Sequence, residues 1–243
     1  GASSGPAILT PAEHDELLAL IKSTPEKKEK ALVKFLTPYL WRLRIQPRLS
    51  ADDRCQPVLV NSENYRWLNT YGRVLDPDNR LKPDLFCTWE AFIERRVPEG
   101  APSGPEYVYG VVPDHRLQAD GVVREFYEAK CASLGNEHLG QLHQYHTCIR
   151  GDCRGMLFSQ DEFWLYKSLD MNPDCIIQGT WTQPGTADLV SKFFTAGVQE
   201  PMLVQRLRWA LSGTGAVLAP VPKPYLGGGG FGRVFHVQTG GVD

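Results

Sequence analysis

The chain has 243 residues, 42% of them hydrophobic and 10% aromatic, enough to bury one substantial core with a small helical appendage. No run approaches the roughly 18 consecutive apolar residues of a membrane span, and the start lacks the basic and apolar regions of a signal peptide, which speaks against a membrane partner. A formal net charge of -2 does not by itself advertise nucleic-acid binding, although a carboxylate cluster that holds metal subtracts from a basic surface.

The opening Gly1-Ala2-Ser3-Ser4-Gly5 has the look of a cloning scar or of a domain cut from a longer protein. Six cysteines, at 55, 87, 131, 148, 153 and 175, lack the dense spacing of a secreted disulfide scaffold and are expected as reduced thiols in an intracellular setting. Thr10 followed by Pro11-Ala12-Glu13 opens a helix by capping chemistry, and a second helix is expected from Pro25 to about Leu36. Between 27 and 48 lie Lys27, Lys28, Lys30, Lys34, Arg42, Arg44 and Arg48, interleaved with Tyr39 and Trp41. They form a candidate surface for a nucleic-acid backbone, or else the solvated face of a helix.

Val58-Leu59-Val60 is a short apolar run, and Asn61-Ser62-Glu63-Asn64 signals a helix start. The turn Asp76-Pro77-Asp78-Asn79 precedes three strand candidates, Leu85 to Trp89, Tyr107 to Val112 and Val122 to Ala129. A helix from Glu137 to Ile149 follows, then a hairpin from Met156-Leu157-Phe158 and Phe163-Trp164-Leu165-Tyr166, a strand at Cys175-Ile176-Ile177, and helices near 187 to 195 and 201 to 211. This order gives an α/β or α+β sheet flanked by helices. The divisions expected are an N-terminal helical segment over 1–50, a main domain over 51–215, and a linker with a glycine-rich start over 216–243.

Glu128-Ala129-Lys130 ends the most strand-like run, and residues two apart on a strand point to the same face. A hard divalent cation takes oxygen ligands from Glu128, a second carboxylate and a backbone carbonyl, while an ammonium beside it orients water and offsets phosphate charge. The tripeptide alone is weak, because Glu26-Lys27-Lys28 repeats its pattern inside a predicted helix. Pro-Asp occurs four times, and Asp84 is preferred as the second carboxylate because it leads directly into an apolar strand; Asp114 and Asp120 remain rivals.

Pro83-Asp84, Glu128-Ala129-Lys130 and Gln141-x-x-x-Tyr145, in this order, resemble the PD-(D/E)XK nuclease superfamily, in particular its branch with a Gln-x-x-x-Tyr motif on the helix after the catalytic strand. The resemblance implies a restriction-endonuclease-like central mixed sheet flanked by helices, Mg2+ or Mn2+ as cofactor, and phosphodiester hydrolysis, on DNA in preference to RNA. Asp84 and Glu128 would hold the metal, Lys130 would handle the water, and Gln141 and Tyr145, one helical turn apart, would contact the phosphate. Glu63 is the candidate for a further acidic ligand, with capping of its own helix as the alternative. His138, His143 and His146, with Cys148 and Cys153, invite a zinc reading, but their spacing is not that of a finger or knuckle.

After Pro220-Val221-Pro222-Lys223-Pro224, Leu226 to Val234 is similar to the glycine-rich nucleotide loop of protein kinases, with Gly227, Gly229, Gly232 and Val234 on the motif positions. A kinase domain is therefore expected beyond the C-terminus. A nuclease-like domain preceding a kinase looks like the C-terminal region of Crinkler-type effectors, which implies action on host nucleic acid, often in the nucleus. A homodimer is compatible with this reading. The competing expectation is a nuclease fold without turnover that binds a partner or restrains the kinase.

Overall fold

The computed structural model describes residues 4–46, 56–61, 83–95, 99–101, 110–111, 123–146, 153–167, 172–196, 200 and 202–240. Helix α1 (Pro11–Ser23) begins at the expected cap: Glu13 N donates to Thr10 Oγ1 at 3.2 Å, and Thr10 N donates to the Glu13 carboxylate at 2.8 Å. Helix α2 (Lys28–Arg44) follows a 3-10 turn at Pro25–Lys27. It does not stop near Leu36. The apolar stripe of Leu32, Val33 and Leu36 continues through Leu40, Trp41 and Arg44, all buried, and this burial outweighs the amide lost at Pro38.

Strands β1 (Pro57–Asn61) and β2 (Leu85–Trp89) pair antiparallel, and the short β3 (Glu94–Arg95) and β4 (Gly110–Val111) form a separate ribbon. Strand β5 (Glu125–Ala129) joins β2 antiparallel and β6 (Arg154–Phe158) parallel. A parallel pair needs a crossover, supplied by helix α3 (Asn136–His146). Strands β6 and β7 (Glu162–Lys167) make the expected hairpin, and β8 (Ile177–Thr180) closes a six-stranded mixed sheet of order β1-β2-β5-β6-β7-β8. The strand expected at 175 to 177 begins only at Ile177, because Pro173–Cys175 forms a 3-10 turn.

Alternation along β5 divides the molecule into layers. Glu125 and Tyr127 face α2 and helix α4 (Thr186–Thr195), whereas Phe126 faces α3, its ring 5.9 Å from Tyr145 and 4.6 Å from His146. On the first face Arg44 Nη2 donates to Glu125 Oε1 at 2.7 Å, Tyr127 Oη donates to Glu125 Oε2 at 3.0 Å, and the guanidinium lies 4.5 Å over the Phe194 ring. Arg44, expected on a nucleic-acid-binding surface, is thus buried in an ion pair; the stripe of α2 carries it inward. One core cluster runs from Leu17 and Leu32 through Phe126 to Tyr225.

Helix α5 (Met202–Leu211) leads to β9 (Ala216–Leu218), which pairs with β12 (Val237–Thr239). Between them β10 (Tyr225–Gly228) pairs with β11 (Arg233–Phe235). The proline stretch read as a linker is tied by backbone bonds, Ala219 N to His236 O and His236 N to Pro224 O. Tyr225 and Phe235 pack against Phe92 with ring centroids at 5.9 and 5.7 Å. Among the described residues no helix is long and apolar enough to cross a membrane.

Candidate active site

Asp84 stands one residue before β2. The register pairs Leu85 with Tyr127 and Phe86 with Phe126, so one further step sets Asp84 opposite Glu128. The aspartate replaces a strand partner there: Ala129 N donates to its Oδ2 at 2.7 Å. Lys130 lies just past β5, with its N–H donating to Phe158 O at 2.8 Å. That bond keeps the backbone extended, and Lys130 projects on the same side as Glu128, with Nζ to Oε1 at 2.9 Å. From α3, Gln141 Nε2 donates to Glu128 Oε1 at 3.2 Å and to Tyr145 Oη at 2.7 Å. The strand ends and the helix therefore bring Asp84, Glu128, Lys130 and Gln141 to one place.

Electrostatically the site is short of positive charge. Burial, then the Asp84 charge, pushes the Glu128 carboxyl up to about 8, against the opposing pull of the Lys130 ammonium. Burial alone would lower Lys130, but the charge and hydrogen bond of Glu128 prevail and raise it. Glu128 Oε2 is buried and has no hydrogen-bond partner among the described residues. An unpartnered carboxylate oxygen opposite a second carboxylate is what a hard divalent cation satisfies, so Asp84 and Glu128 fit Mg2+ or Mn2+. Among the described residues no three His, Cys, Asp or Glu side chains converge as a fuller metal cage.

No family model, curated protein or solved structure matches this chain. The residue geometry therefore carries the functional argument.

Tyr145 was expected to contact phosphate, and its position corrects that. The side chain is fully buried against Phe126, and burial, then the Glu128 charge, raises its phenol well above the ordinary range, so it stays protonated. Its hydroxyl accepts from Gln141 Nε2 at 2.7 Å and also interacts with the Glu128 carboxylate. His146 next to it is buried with both ring nitrogens unpartnered among the described residues, and burial, then His143, pushes it down to about 3. His138 Nδ1 accepts from Gly135 N at 3.2 Å, a local turn contact.

Glu63, Arg48, Asp114 and Asp120 lie outside the described residues. Lys27 at the end of the 3-10 turn and Lys28, Lys34 and Arg42 on α2 are exposed, and the Arg42 guanidinium lies 5.3 Å over the Tyr39 ring, itself stacked on Phe35 at 5.7 Å. Sequence reasoning gave Glu29, in the first turn of α2, no role. The charge of Glu29 acts on Glu128, Lys130 and Cys131, and that of Lys28 on Cys131. Glu26-Lys27-Lys28, set aside as a decoy of the Glu-x-Lys pattern, spans the end of the 3-10 turn and the first residue of α2, not a strand end.

The glycine-rich segment forms the turn between β10 and β11, where Gly229 N donates to Gly232 O at 2.9 Å. Gly227 has φ 152°, a conformation that favours glycine, whereas a Cβ at Gly229 or Gly232 would meet nothing within 4 Å. Val234 and Phe231 project into solvent.

Proposed function

We propose that this protein is a metal-dependent nuclease of the PD-(D/E)XK type, hydrolysing phosphodiester bonds in nucleic acid, DNA in preference to RNA. The observation that carries the reading is the pairing of Asp84 with Glu128 across adjacent strand ends, with Lys130 Nζ 2.9 Å from Glu128 and Glu128 Oε2 buried without a partner among the described residues. A six-stranded mixed sheet with helices against both faces agrees with the restriction-endonuclease-like architecture that the motif resemblance implies.

In this reading Asp84 and Glu128 hold Mg2+ or Mn2+, which supplies Lewis-acid activation and neutralises phosphate charge. Lys130 orients the attacking water and offsets negative charge on the phosphate. Gln141, fixed between Tyr145 and Glu128, keeps the carboxylate in one rotamer while its half-exposed amide faces the substrate side. Asp84 is itself oriented by the Ala129 amide.

Incubation of supercoiled plasmid with the protein tests this. Nicked and linear products are expected with Mg2+ or Mn2+, none with EDTA, and few with Ca2+, which accepts looser geometry and more ligands. Cleavage that persists in EDTA overturns the metal mechanism. Binding of DNA without cleavage in any of these metals would favour a nuclease fold that recruits a partner instead.

A further inference from the structure

We propose that the cleft between the turn after β2 and the proline stretch of the C-terminal ribbons binds a small organic cation, an ammonium or guanidinium group on an apolar body. The inference is independent of the nuclease reading.

The cleft lies between the 3-10 turn Glu90–Phe92 and the segment from Leu218 to Pro224, with a volume of about 450 Å³. That falls within the range of about 300–1,000 Å³ typical of ligand sites. One residue holds both ends of the proline wall: Ala219 N donates to His236 O at 3.0 Å, and His236 N donates to Pro224 O at 2.7 Å. Between those ties Pro220 and Pro222 fix their own φ, so the wall is set before a ligand arrives and little ordering is lost on binding. Phe92 packs against Tyr225 and Phe235, which joins the turn to the ribbons and keeps the two sides of the cleft together.

The chemistry of the lining is one-sided. Prolines 220, 222 and 224 have no N–H, and the amides of Glu90, Ala219 and Val221 already donate to Gln56 O, His236 O and Ala219 O. Carbonyl oxygens keep lone pairs to accept with, and Glu90 brings the one charged side chain among the described lining residues. The rest of the surface is apolar, from Leu218, Ala219, Val221 and the proline rings. A wall short of donors and holding a carboxylate disfavours anions and suits a donor-rich cation whose body covers the apolar floor. The place is distinct from the candidate active site. Strand β2 has 5 residues, about 17 Å at 3.3 Å each, with Asp84 before its first and Glu90 after its last.

The test is a methyl NMR titration of the whole chain, labelled at Leu and Val, with benzylammonium as probe and benzyl alcohol, of the same shape without the charge, as control. Benzylammonium should shift the Leu218 and Val221 methyl signals with a Kd of about 1 mM, ordinary for a ligand of about eight non-hydrogen atoms. Benzyl alcohol should bind about tenfold more weakly, the scale of a charge-assisted contact. Glu90→Gln should remove that preference and leave benzyl alcohol as it was. Val221→Arg, which sets a guanidinium of the protein's own in the cleft, should block the probe, and it decides the matter if Glu90→Gln does not fold. Equal affinity for amine and alcohol in wild type, or wild-type amine affinity in either folded variant, overturns the proposal. So does the absence of any shift at Leu218 and Val221 up to about 20 mM, well above the expected Kd.

Discussion

Lys130 and Glu128 share one strand face, and the 2.9 Å contact between them makes Glu128 the main electrostatic neighbour of Lys130, whereas Glu128 is also pressed by the charge of Asp84. On the proposed nuclease mechanism, removal of the ammonium takes away water orientation and charge compensation but few substrate contacts. Lys130→Ala is therefore expected to lower single-turnover cleavage by about 100-fold or more while DNA affinity stays within about threefold. Quenched-flow kinetics and anisotropy separate the two, with Lys167→Ala as the matched loss of charge; a Lys130→Ala enzyme of wild-type speed would remove Lys130 from the mechanism. Glu128 makes a second prediction through its carboxyl, raised to about 8 from 4.5. Between those values the unfolded chain gives up this proton and the native chain keeps it, so the native state loses stability as pH rises through that window. Without metal, the melting temperature of wild type should fall more from about pH 6 to about pH 9 than that of Glu128→Gln. Mg2+ should offset the difference in wild type and have little effect on the variant, both read by calorimetry. Parallel pH curves for the two proteins without metal would contradict the buried, charge-starved carboxyl.

At the scale of elements, the contact that orients α2 against β5 is the Arg44–Glu125 pair, with side chains 1% and 0% exposed. Breaking such a pair from one side leaves a buried charge, at a cost of about 3–5 kcal/mol. Arg44→Met should therefore be strongly destabilised in urea unfolding. Arg44→Met combined with Glu125→Gln should lose less, because the amide oxygen still accepts from Tyr127 Oη. A double variant no more stable than Arg44→Met alone would show that the pair's ionic character is not what matters.

For the whole molecule, the C-terminal ribbons belong to the body that carries the site. Tyr225, 1% exposed, closes an aromatic cluster with Phe92 and Phe235, and Phe92 follows directly on β2, the strand that Asp84 precedes. Tyr225→Ala should cost about 3–5 kcal/mol and lower a single urea transition, as large-to-small changes in a packed aromatic core do. An unchanged transition would mean that the ribbons contribute nothing to the stability of the sheet.

The elements whose determinants are local were legible in the sequence. The Thr10 cap, the hairpin of β6 and β7, the strand ending in Glu128-Ala129-Lys130 and the helix carrying Gln141 and Tyr145 each follow from spacing or alternation, and all are present. The preference for Asp84 came from its position before an apolar strand, and the register of β2 on β5 sets it opposite Glu128. Long-range packing decided the rest. Only the stripe buried against the sheet carries α2 past Pro38 and turns Arg44 inward. Only the close fit of α3 on Phe126 makes Tyr145 a buried support for Gln141. Charge and polarity say what a side chain can do, whereas burial and register, set by partners about 80 residues away as Glu125 is from Arg44, decide where it does it.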